Sequence, residues 1–255
     1  MSVRLEQRGL ALIVHNTSAK RGAITPELYQ SVSDAIDMAS APDIRCIILT
    51  GGAFFCAGGD LRVLATRAAL APDARRSKVE ILHGVIRAMA KSPVPIIAAI
   101  EGGAAGAGVS LTLACDLIVA SEGAEFTAAY VKAGLTPDGG LTHALSRLLP
   151  RQMAMEACLL GRPIPARHLA DHGVINQLTP QGQALDGALA LAQELAQGPA
   201  QAQARIRHLI TYASDTSLLD QLDREAEFMV DAQAGPEAAE GISAFTEKRK
   251  AEFPT

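Results

Sequence analysis

Apolar runs and helical stripes alternate through the first half of the chain. Leu10 to Val14 reads as a short strand, Ile44 to Thr50 and Pro95 to Ile100 as core strands, and Leu117 to Ala120 as another. Apolar runs of this kind are strands covered on both faces, which requires helices packed around them. Thr25 followed by Pro26 is an N-cap with proline at the first helical position. Leu28, Val32, Ile36 and Ala39 then mark one face, and Pro42 and Asp43 end the helix. Asp73 to Ala90 reads as a second helix, with Val79, Leu82, Ile86 and Met89 at helical spacing.

Helices dominate after about position 139. Breaks at Pro163–Pro165 and Pro180 separate short segments, and from Leu185 onward the pattern is helical only. There Leu218, Leu222, Met229 and Val230 share a face, and Ser217 with Asp220 forms a capping pair. The organisation predicted is an α/β core over residues 1–195 and a C-terminal helical region over 196–255.

Two strands run directly into glycine-rich turns. The first is Thr50-Gly51-Gly52-Ala53-Phe54-Phe55-Cys56-Ala57-Gly58-Gly59-Asp60-Leu61, and the second is Ile100-Glu101-Gly102-Gly103-Ala104-Ala105-Gly106-Ala107-Gly108, which opens an apolar helix. Glycine lets backbone approach a ligand closely, and the start of a helix offers unpaired N–H groups. Two such turns facing each other would aim two donors at one oxygen, the geometry that stabilises an enolate-type oxyanion. Three other uses fail on sequence. The position after Gly106 and Gly108 that a dinucleotide fingerprint needs as glycine is Leu111, no GxSxG elbow is formed around Ser110, and no Walker lysine follows. Close-packed turns without a ligand remain the alternative for either loop taken alone.

Composition narrows the partners. Nearly half the residues (49%) are apolar, which suffices for a sizeable core, but with no tryptophan and three tyrosines that core must be aliphatic. A formal charge of -4 argues against nucleic acid or an anionic membrane, although a basic pocket for a small anion can sit on an acidic protein. The four cysteines lie far apart, so reduced structural thiols are predicted. His83, His143, His168 and His172 form neither metal nor triad spacing, and no metal is predicted. Arg4, Glu6, Gln7 and Arg8 interrupt the first ten residues, and no window reaches the roughly 20 apolar residues of a membrane span. A cytoplasmic location is the expectation.

The two loops in order, with their sequels, are similar to the crotonase superfamily of enoyl-CoA hydratases and isomerases. The resemblance is carried by Phe55 to Leu61, Pro95 to Leu113, Ala114-Cys115-Asp116-Leu117, Gly134 to Gly140, Leu160-Gly161-Arg162 and Gly241 to Arg249. It implies a spiral of ββα turns, C-terminal helices that build a homotrimer or homohexamer, and acyl-CoA substrates, with coenzyme A part of the substrate and no separate cofactor. By the same resemblance the oxyanion donors are the amides of Gly59 and Ala107. CoA contacts are Arg21, Ala57, Asp60, Phe245 and Lys248, the last two reaching the CoA of a neighbouring subunit. Asp60 also fits an ordinary helix N-cap. The arginine- and alanine-rich stretch 62–80 would cover the acyl end.

The family's hydratases carry two glutamates at positions that hold Ser110 and Tyr130 here, and neither is a carboxylate base. Asp138, in Pro137-Asp138-Gly139-Gly140, corresponds to the catalytic carboxylate of family isomerases, although the same residues make a good turn. The stretch Ala104 to Leu111, with Ala129-Tyr130, is similar to the branch that holds ring-epoxide-CoA and enoyl-CoA isomerases. The reading is an isomerase with Asp138 as acid/base and Ser110 and Tyr130 in the substrate pocket. A hydratase, or a CoA- or RNA-binding member without turnover, are the alternatives.

Overall fold

A computed structural model describes residues 2–253 of the protein. β1 (Val3–Arg8) and β2 (Ala11–Asn16) form an antiparallel pair that turns at Gly9. Thr25 caps α1 (Pro26–Met38) by accepting from the Leu28 N–H, and α1 buries Leu28, Val32, Ala35 and Ile36. β3 (Cys46–Gly51) follows. Then come α2 (Leu61–Thr66), a 3-10 turn at Arg67–Ala69, and α3 (Pro72–Ala90), which buries Leu82, Val85 and Met89.

The next segments are β4 (Ile96–Ile100), β5 (Gly103–Ala105), α4 (Ala107–Leu113), β6 (Leu117–Ser121), β7 (Glu125–Thr127), a second 3-10 turn at Ala129–Ala133, and α5 (Leu141–Leu148). After them come α6 (Arg151–Leu160), β8 (Pro163–Pro165), α7 (Ala166–Asp171), β9 (Gln177–Thr179) and α8 (Ala184–Ala196). The chain closes with α9 (Ala200–Ala213), α10 (Leu218–Gln233) and α11 (Pro236–Glu247).

The main sheet has six strands in the order β1-β2-β3-β4-β6-β9, parallel from β2 onward, and a second sheet has the order β5-β7-β8. Each turn of the chain therefore lays one strand in the large sheet and one in the small, then a helix: β4, β5, α4 and again β6, β7, α5. Cys56, bridged in parallel to Ala104, gives the turn after β3 the same step. Successive strand residues point to opposite faces. Leu12, Val14, Ile47, Leu49 and Ile96 pack with α1 and α3 in one cluster, while Ile13, Ile48, Ile97 and Val119 pack against Ala188 and Ala192 of α8 in another. Both faces are covered, as the apolar runs require.

Two sequence expectations change. Pro163–Pro165, read as a break, is the strand β8, paired antiparallel to β7 with Ile164 opposite Phe126. Proline is tolerated there because β8 is an edge strand of its sheet. The polar N-terminus is also a strand: β1 is the outer strand of the main sheet and buries only Val3. The C-terminal helices are as read, and Ser217 accepts from the Asp220 N–H at the start of α10. Among the described residues, no helix is long and apolar enough to cross a membrane.

Candidate active site

The loop after β3 is fixed by backbone hydrogen bonds on both sides. The Ala57 N–H donates to the Arg21 carbonyl (3.0 Å), the Ile24 N–H to the Gly58 carbonyl (2.9 Å), and the Ala105 N–H to the Cys56 carbonyl (2.8 Å). That last bond joins the two glycine-rich loops. Gly58 has φ +82°, and a Cβ on it would lie 2.7 Å from the Ala105 carbonyl oxygen and 3.2 Å from the Ala107 nitrogen. Only glycine lets the loops meet this closely. Ala107 opens α4, so its amide is one of the helix's unpaired donors. Among the described residues, neither the Gly59 nor the Ala107 N–H meets an acceptor.

Gly59 and Ala107 line one cavity of about 940 Å³ together with Ala57, Tyr130 and Asp138. Asp138 is the single carboxylate among the described lining residues. It follows the 129–133 turn and precedes two glycines in the left-handed region, Gly139 (φ +61°) and Gly140 (φ +78°). The Tyr130 hydroxyl donates to Asp138 Oδ1 at 2.7 Å, and the Ser110 hydroxyl donates to the Asp138 carbonyl at 2.9 Å. Ser110 Oγ also lies 3.3 Å from the Tyr130 hydroxyl. Burial and the Asp138 carboxylate push the Tyr130 phenol well above its ordinary range. Tyr29, on the same cavity wall, is pushed up to about 12, chiefly by burial and then by the Asp138 charge.

Ser110, read as a pocket residue, stands one layer back. It is 1% exposed and lines a neighbouring cavity beside Gly139. Asp60 caps α2, accepting from the Arg62 N–H at 2.9 Å, and pairs with Lys20 at 2.5 Å, which holds its carboxyl below the usual range. It lines an adjoining cavity of about 590 Å³ that shares Gly59. The Arg21 guanidinium sits 4.0 Å over the Phe54 ring. Phe245 and Lys248, at the end of α11, line neither cavity within this chain, and Phe245 is 87% exposed.

Sequence reasoning missed Tyr29 and a cationic rim of Arg67, Arg75, Lys78 and Lys132 on the larger cavity. The signal for the rim lay in the basic stretch 62–80, whose residues Leu64, Arg67, Ala68, Arg75, Lys78 and Val79 face this cavity. A chain of net charge -4 thus carries four cationic side chains on one cavity wall.

A sequence profile described as enoyl-CoA hydratase/isomerase matches residues 6–255. The chain belongs to the enoyl-CoA hydratase/isomerase family. Members of this family act on acyl-CoA thioesters, and the ββα spiral is the fold shared with its solved members. An enoyl-CoA hydratase from Polaromonas sp. JS666 superposes with a TM-score of 0.96 at 39% identity, covering 99% of both chains. Among curated family members, an Escherichia coli 1,2-epoxyphenylacetyl-CoA isomerase is 34% identical over 250 residues, 97% of this chain and 95% of the relative. A Mycobacterium tuberculosis enoyl-CoA hydratase is 37% identical over 265 residues, 98% of this chain and 95% of the relative. The family's two reaction types are thus both represented among similar proteins.

Proposed function

We propose that this family member is an isomerase that shifts a double bond in an enoyl- or ring-acyl-CoA. The Gly59 and Ala107 amides receive the thioester oxygen. Charge drawn onto that oxygen acidifies the adjacent C–H, Asp138 removes that proton, and the same proton returns at another carbon. No water is added. The observation that carries the reading is the lone carboxylate: Asp138 is the single acid on the described wall of the cavity that holds both amides. The name of the 34% identical isomerase supports it. The cationic rim suits the phosphates of CoA. Other copies of the chain are proposed to cover the apolar faces of the C-terminal helices and to bring Phe245 and Lys248 to a neighbour's CoA.

Hydration is the second reading, favoured by the name of the 37% identical hydratase. The two are separated by ultraviolet absorbance. An isomerase produces the conjugated enoyl-thioester band from 3-hexenoyl-CoA, whereas a hydratase bleaches that band in crotonyl-CoA. Asp138→Asn should lower 3-hexenoyl-CoA isomerisation by about 10²–10⁴-fold, while CoA-thioester binding persists in calorimetry. Full activity in that variant would discard Asp138 as the acid–base group.

A further inference from the structure

The hydroxyls that meet Asp138 have no part in the proton transfer as written, yet both are spent on it at hydrogen-bonding distance. We infer that Tyr130 is a positioning residue for Asp138, with Ser110 anchoring the same turn, so that one carboxylate oxygen is fixed and the other is left to exchange the proton with substrate. This rests on the reading of Asp138 as the acid–base group.

Three separate elements converge here: Ser110 from α4, Tyr130 from the 129–133 turn, and Asp138 from the loop leading into α5. Each hydroxyl has one proton to give. The 2.7 Å contact to Oδ1 takes that of Tyr130 and the 2.9 Å contact to the Asp138 carbonyl takes that of Ser110, which leaves the 3.3 Å contact between them as the weaker one. Oδ1 is thereby occupied, and no protein donor meets Oδ2 among the described residues. Without this clamp, a carboxylate that precedes two left-handed glycines has little to fix its direction. Gly139 closes the arrangement from behind: a Cβ there would lie 2.9 Å from both the Ser110 Cβ and Leu82. The turn is therefore seated directly on Ser110.

Burial and the facing carboxylate keep the phenol protonated, so Tyr130 acts as a donor and not as a second base. The other titratable groups on the cavity wall are Tyr29 of α1, Arg67, and Arg75, Lys78 and His83 of α3, with Lys132 beside Tyr130. All are unchanged when Tyr130 alone is replaced.

Tyr130→Phe keeps the ring and removes the clamp. Isomerisation of 3-hexenoyl-CoA and exchange of its α-proton in D2O are followed for wild type, Tyr130→Phe, Ser110→Ala and Asp138→Asn, each with a melting curve. The expected result is a kcat for Tyr130→Phe lower by about ten- to hundredfold, α-proton exchange slowed in parallel, and a KM within about twofold. Ser110→Ala should show a smaller loss in the same direction. Wild-type kcat and exchange in Tyr130→Phe, with Asp138→Asn inactive, would overturn the positioning role and leave Asp138 standing. A raised KM with kcat intact would overturn it too, by making Tyr130 a substrate contact. So would a lowered melting temperature with kcat and exchange intact below it, the mark of a purely structural tyrosine. Full activity in Asp138→Asn would instead remove the acid–base reading beneath the inference.

Discussion

At Gly58 the backbone sits at φ +82° with the Ala105 carbonyl 2.7 Å from where a side chain would begin. Gly58→Ala therefore meets two costs at once, a left-handed backbone and a clash with backbone that cannot rotate away. Together these should destabilise the fold by about 1–3 kcal/mol, read as a lower melting temperature. The larger effect should be chemical. The Gly59 and Ala107 amides lie on either side of that contact, and a loss of alignment at one oxyanion donor lowers kcat by roughly 10²–10³-fold. A Gly58→Ala enzyme with unchanged kcat would show that the contact between the loops does not set the oxyanion geometry. Gly58 was legible in the sequence because a turn with φ > 0 and backbone this close favours glycine. Asp138 could be named as a candidate from the sequence, through resemblance and through the absence of glutamate at 110 and 130, and its acid–base role is the proposal that Asp138→Asn tests. Its partnership with Tyr130 and Ser110 was not legible, since Tyr130 lies 8 residues away and Ser110 28, and the three meet only once α4 and the loop before α5 have packed. Tyr29, on α1, was hidden for the same reason.

Among the elements, those with a long apolar pattern were readable and the three-residue strands were not. β5, β7, β8 and β9 are each too short to show a period of two; the first three pair only with one another in the small sheet, and β9 is held by β6 at the edge of the large one. The join between core and C-terminal helices was equally silent. Arg207, two residues after Arg205 at the end of an alanine- and glutamine-rich stretch, is buried on α9. It pairs with Asp116 at 2.7 Å and donates to the carbonyls of Met89, Ala90 and Ser92. These carbonyls lie at and beyond the end of α3, where a helix leaves acceptors without partners and favours a cation. Arg207→Ala leaves Asp116 without its cation and the Ala90 and Ser92 carbonyls without a donor, while the Met89 carbonyl keeps the Ser92 N–H at 3.1 Å. Arg207 is buried but Asp116 is partly exposed, so the cost is that of hydrogen bonds lost from a charged group, about 1.5–3 kcal/mol, and urea unfolding should shift accordingly. Adding Asp116→Leu to Arg207→Met should recover only part of the loss, because the Ala90 and Ser92 carbonyls stay unsatisfied. Full recovery would mean that the ion pair alone, and not the helix end, holds α9 to the core.

For the whole molecule, the C-terminal helices pose the question of what covers them. α10 is amphipathic, yet among the described residues none of its sixteen is buried within one chain, and Leu218 and Leu219 are each 73% exposed. Ile210 of α9 and Ile242 of α11 extend the same kind of surface. Apolar side chains this exposed gain nothing from water, and this face is proposed to be an association surface. Leu218→Asp with Leu219→Asp tests this cleanly, because aspartate in the first turn of a helix is favourable for the helix itself. Circular dichroism should therefore be unchanged while sedimentation shifts from an assembly of three or six chains to a smaller species. If Phe245 and Lys248 reach a neighbour's CoA, the same variant should raise KM for acyl-CoA while leaving kcat within a few-fold. The amides of Gly59 and Ala107 and the Asp138 carboxylate line a cavity of one chain, so on the proposed mechanism the chemistry should survive dissociation while the grip on the substrate weakens. A wild-type protein that sediments as a monomer at micromolar concentration would refute the assembly. An assembly that persists in the double variant would move the interface away from α10.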